Sequence, residues 1–155
     1  MSEDIHYTAD YEAIEDMKAL LKKGINIDTI DEFGGTPLQS AIGSSQTEMA
    51  LFLLNKGANP TSQDIQGYTA LHSAVLYSNL EVAEAILKKH PEVVNIESKE
   101  YGTALLQAIG EDNKPPYSMI KLLLAHGANK QDESVLYHVK AHDIEEVMKL
   151  FEGCW

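Results

Sequence analysis

The sequence predicts an all-α solenoid: helix pairs stacked side by side, joined by hairpin loops, with one extended concave face. Three observations predict it. An eleven-residue motif returns after 33 residues, a second apolar motif follows each copy in register, and glycines close two copies of the second motif. Self-similarity at such a period is the mark of a repeat architecture.

The first motif, Asp31-Glu32-Phe33-Gly34-Gly35-Thr36-Pro37-Leu38-Gln39-Ser40-Ala41, returns as Asp64-Ile65-Gln66-Gly67-Tyr68-Thr69-Ala70-Leu71-His72-Ser73-Ala74. A weaker third copy runs from Ser98 to Ala108. Threonine is a helix-capping residue and proline fits a first helical turn, so Thr36-Pro37 and its counterparts start a short helix. Leu38, Ala41 and Ile42 then fall on one apolar face.

The second motif is Met49 to Asn59, then Val82 to His90, then Ile120 to Asn129, with Met17 to Asn26 upstream and Ile144 to Phe151 downstream. Ala50, Leu53 and Leu54 share a face, as do Ala83, Ile86 and Leu87. Gly57 and Gly127 stop two of these helices, since glycine takes the left-handed C′ conformation at little cost. No helix pair hides its apolar face alone, so neighbours must stack.

The two ends fit a stack that needs polar outer surfaces. Tyr11 to Lys23 sets charges around Ile14, Met17, Leu20 and Leu21; Glu133 to Glu152 offers Val135, Leu136, Val139, Ile144, Val147, Leu150 and Phe151 to a core. Two departures stand out in the third copy. Tyr101 occupies the turn-glycine place, with Gly102 one residue later, which predicts a distorted hairpin. The extra residues Asn113-Lys114-Pro115-Pro116-Tyr117 predict a stiff protruding loop between its helices.

These motifs resemble the ankyrin repeat, with its D-x-x-G-x-T-P-L-H-x-A opening and its leucine-rich second helix closed by G-A-D/N. The resemblance implies three full repeats (29–61, 62–95 and 96–129) between capping repeats at 1–28 and 130–155, forming a single domain. It also implies that His72, at the histidine place of the motif, makes structural hydrogen bonds between repeats.

Composition narrows function. The chain carries 12 basic residues, all lysine, against 24 acids, a formal charge of −12. Without arginine it lacks the bidentate reader of phosphate and guanine, and its charge repels nucleic acid and anionic lipid. A basic protein is the expected partner; nucleic acid and membrane are not. No run approaches the roughly 18 apolar residues of a membrane span. The acidic N-terminus does not read as a secretory signal, and the single Cys154 forms no internal disulfide. The expectation is a cytoplasmic protein, monomeric when free.

Catalytic chemistry finds no footing. His138 and His142 stand at the i, i+4 spacing of paired zinc ligands, with Asp143 beside them, but no H-E-x-x-H pattern surrounds them. Gly34-Gly35 is too short to cradle a phosphate, and Ser44, Ser45 and Ser73 lack a nucleophile-elbow context. No enzyme activity, cofactor or metal site is expected.

By resemblance, binding falls on hairpin tips and on the exposed side of the first helices. Carried over repeat by repeat, the positions are Glu32 and Phe33; Ile65, Gln66, Tyr68, Leu76 and Tyr77; Lys99, Glu100, Glu111 and Asp112. Aromatic and apolar residues at exposed places suit binding hot spots, and carboxylates flank them. The alternative reading packs Phe33 and Tyr68 on neighbouring hairpins and half-buries Leu76 and Tyr77 between first helices. Two functions remain open: an adaptor or regulator of partner proteins, or a dedicated inhibitor of one basic partner, as the small acidic ankyrin proteins resembling toxin-neutralising immunity proteins would be.

Overall fold

Thr36 and Thr69 start their helices by the same device with different side chains. In a computed structural model, which describes residues 4–11, 13–110, 117–142 (without the side chain of His142) and 145–154, each threonine oxygen accepts from the backbone N–H three residues on. The third residue returns the bond: Gln39 Oε1 accepts from Thr36 N–H at 2.9 Å, and His72 Nδ1 from Thr69 N–H at 3.2 Å. These capping boxes open α3 (Pro37–Gly43) and α5 (Ala70–Leu76). In the third repeat Leu106 stands at that place. Thr103 Oγ1 accepts from its N–H at 3.3 Å, but leucine has nothing to return, and α7 (Ala104–Gly110) starts on half a box.

The second helices are α4 (Thr47–Asn55), α6 (Leu80–Lys89) and α8 (Tyr117–Ala125). Ser45 (φ 59°) and Ser78 (φ 53°) turn the chain between helices of the first two pairs, in left-handed geometry that costs a non-glycine residue energy. First helices stack on first helices and second on second, burying Leu38, Ala41, Ile42, Leu53, Leu71, Ala83, Ile86, Leu105 and Leu123 in one continuous core. A 3-10 turn at Pro91–Asn95, which the sequence reading did not anticipate, buries Val93 and Val94 before the third hairpin.

Each end is itself a helix pair. The N-terminal one is α1 (Ile5–Asp10) and α2 (Ile14–Lys22). Tyr11, expected at the start of the capping helix, instead closes α1, a helix the sequence reading missed. Asp4 caps it by accepting from His6 and Tyr7 N–H, and Ile5 and Ala9 are buried against α3. The C-terminal pair is α9 (Glu133–His142) and α10 (Glu145–Leu150), with α9 on α7 and α10 on α8.

The third hairpin is altered where expected. Gly34 (φ 74°) and Gly67 (φ 80°) make the left-handed turn in the first two; in the third that conformation moves one residue on, to Gly102 (φ 68°). There β1 (Glu97–Ser98) pairs antiparallel with β2 (Gly102–Thr103), Ser98 opposite Gly102. Ser98 Oγ accepts from Tyr101 N–H at 3.2 Å, standing in for an aspartate. Residues 113–116 of the expected protruding loop lie outside the described residues, and Tyr117, counted in it, is the first residue of α8. Among the described residues no helix is long and apolar enough to cross a membrane.

Candidate protein-binding face

The hairpin tips are held from below by aspartate. Asp31 Oδ1 accepts from Phe33 and Gly35 N–H, both at 2.8 Å, and Asp64 Oδ1 from Gln66 and Tyr68 N–H, both at 2.9 Å. Adjacent tips are then zipped together. Ile65 N–H donates to Phe33 C=O at 3.0 Å and Lys99 N–H to Gln66 C=O at 2.9 Å. Below the tips Gln39 Nε2 donates to Tyr68 C=O at 2.8 Å. With the backbone committed inward, the side chains between these bonds face solvent: Phe33 is 60% exposed and Ile65 52%. Glu32 and Gln66 are exposed beside them.

The other wall comes from α5. Leu76 ends the helix and Tyr77 caps it, 41% and 50% exposed. The Tyr77 ring lies over Gly43, at the end of α3, where a Cβ would be 3.7 Å from the ring. Tips and helix ends enclose an open groove of about 330 Å³, walled by Phe33, Tyr68, Leu76 and Tyr77, with Asp31, Asp64, Ser40 and Ser73 as its polar lining. Four residues singled out from sequence thus share one groove.

Tyr68 has a second engagement. Its hydroxyl donates to Glu100 Oε2 at 2.8 Å, and its ring stacks on Tyr101, centroids 6.1 Å apart. It is half-buried, as the alternative reading of that residue had it; Phe33 is not. Desolvation first, and then the bond to Glu100, hold the Tyr68 hydroxyl well above the ordinary tyrosine pKa. Lys99 reaches back so that Nζ donates to Ile65 C=O. Lys99 and Glu100 therefore couple the second and third hairpins and flank the groove. Glu111 and Asp112 lie outside the described residues.

A second groove, of about 310 Å³, opens between the third hairpin and the C-terminal pair, lined by Glu100, Tyr101, Gly102, Leu106, Gly110 and His138. Of these, Glu100 and Gly102 stand at positions where the repeat resemblance places binding. Tyr101 carried a signal, an aromatic in place of a turn glycine, and was read only as a distortion. His138 was weighed for zinc; its Nδ1 donates to Ser134 C=O at 2.8 Å, within its own helix. Among the described residues no three His, Cys, Asp or Glu side chains gather as a metal site would require.

His72 lies beneath these surfaces, fully buried. Nδ1 accepts from Thr69 N–H, so the proton sits on Nε2, which donates to Gly102 C=O in the next repeat at 2.9 Å. Burial lowers its pKa, against smaller opposing effects of the Gly102 carbonyl and Asp64.

The family model described as ankyrin repeats (3 copies) matches residues 5–98, well over half of the chain. No curated protein matches the chain significantly. Ankyrin repeats are in general protein–protein interaction modules and typically not enzymes. The helix pairs, the hairpin tips and the family match agree, and the chain belongs to the ankyrin-repeat family.

Proposed function

We propose that this protein is a non-enzymatic regulator or adaptor that binds a basic partner protein across the hairpin tips and the groove between α3 and α5. The observation that carries the reading is the grouping of Phe33, Leu76 and Tyr77, large apolar side chains held in the open by a hydrogen-bonded backbone, beside a lining of carboxylates. Aromatic anchors bury much area for little lost rotamer freedom. A charge of −12 without arginine speeds encounter with a basic surface and opposes nucleic acid. A single cysteine suits a reducing compartment, so the cytoplasm is the proposed location and a free monomer the proposed state.

The test is affinity capture from lysate of the source cell, comparing wild type with a Phe33→Ala/Tyr77→Ala variant of unchanged circular dichroism. The captured protein is then purified and its affinity measured at low and high salt. Expected is a basic partner, lost with the variant and weakened by salt. An acidic partner, or one the folded variant keeps, overturns the reading. One stoichiometric partner whose own activity is blocked would identify a dedicated inhibitor; several weaker ones an adaptor.

A further inference from the structure

We infer that the groove between the third hairpin and α9 is a slot for an arginine side chain of the partner, an inference resting on the proposed binding of a basic protein. Three groups of different chemistry meet there. The first is a fixed anion. Tyr68 donates to Glu100 Oε2 and holds the carboxylate in place, while Oε1 makes no hydrogen bond among the described residues. The second is a π surface: the Tyr101 ring, stacked on Tyr68, is still 39% exposed. The third is an acceptor. His138 Nδ1 donates to the Ser134 carbonyl, so in the neutral ring Nε2 carries the lone pair, and His138 lines the groove. Leu106 supplies apolar surface for an aliphatic stem.

That set matches a guanidinium. It is planar, carries five N–H donors, stacks on aromatic rings and is weakly hydrated. A lysine ammonium is a compact, strongly hydrated point charge that uses the ring and both acceptors less well. Among the described residues no lysine lines the groove, which disfavours an anion. Glu100 and His138 alone do not make a metal site. Such an arginine must come from another protein, because this sequence contains none.

The test is a two-dimensional NMR titration of the full-length 15N-labelled chain with N-acetyl-arginine methylamide, beside the lysine analogue. Expected are saturable shifts centred on Glu100, Tyr101, Leu106 and His138, with arginine tighter than lysine. Glu100→Gln, which keeps an acceptor for Tyr68 but removes the charge, should weaken binding roughly fivefold to tenfold. Glu48→Gln, an exposed acid on α4, should leave it unchanged. Shifts absent at this groove, spread evenly over the acidic surface, or equal for the two analogues overturn the inference. The two proposals fail separately: a basic partner captured through Phe33 and Tyr77, with no arginine response at Glu100, removes the slot and leaves the regulator.

Discussion

The imidazole of His72 ties two repeats together, accepting from Thr69 N–H in its own capping box while donating to Gly102 C=O, thirty residues on, at 2.9 Å. One repeat earlier Gln39 does the same work with an amide, its Oε1 on Thr36 N–H and its Nε2 on Tyr68 C=O. Two residue types therefore meet one geometric demand: an acceptor for the cap and a donor for the next hairpin.

His72→Gln should accordingly retain most of the stability, within about 1 kcal/mol. His72→Leu leaves the buried Thr69 N–H without its acceptor and takes one of two donors from Gly102 C=O, which keeps Ser98 Oγ, and should cost about 1–3 kcal/mol. Urea unfolding of the two variants measures the difference, and equal losses would refute the equivalence of histidine and glutamine here.

The same residue predicts a pH dependence. Burial lowers the folded pKa of His72 below its unfolded value of 6.5, so below that value the unfolded chain takes up a proton that the native chain resists. Stability is fully present above the unfolded pKa and is lost as pH falls toward the folded one. Wild type should lose more stability than His72→Gln between about pH 7.5 and 5.5, a window bracketing the unfolded histidine pKa; parallel curves would refute it.

Tyr68 should titrate last among the tyrosines, since desolvation and the Glu100 carboxylate both disfavour the phenolate. Its folded pKa lies above the unfolded one, so its contribution is present below the unfolded value and lost as pH rises through the folded one. Absorbance of the phenolate should show one late-ionising tyrosine in wild type that Tyr68→Phe removes and Glu100→Gln shifts earlier.

Ser45 and Ser78 sit at φ 59° and 53°, where an L side chain is strained. Ser78→Gly should raise stability by about 0.5–1 kcal/mol, and Ser78→Val should lower it by at least as much. Thermal melting of the pair checks the sign.

The repeat frame was open to sequence reasoning because it rests on local chemistry: Thr36 and Thr69 cap, Leu53 and Ile86 recur at helical spacing, and Gly57 and Gly127 stop helices. Helix α1 escaped because six residues with two buried apolar side chains leave too little periodicity, and its cap, Asp4, reads as one acid among many. The sequence placed Phe33, Leu76 and Tyr77 by position alone. It did not separate the open Phe33 from the half-buried Tyr68, because that difference comes from Glu100 and Tyr101, more than thirty residues away. His138 joins the second groove only through the packing of α9 on α7, a contact with no trace in the spacing of the chain.

The layered stacking also sets how the molecule responds to force. Each helix pair leans chiefly on the pairs before and after it, so tension on the two termini has no long-range strand to break and peels pairs off in succession. A stretched molecule should yield in small, evenly sized steps and recoil by re-docking pairs on those still folded, in the manner of a ratcheted spring.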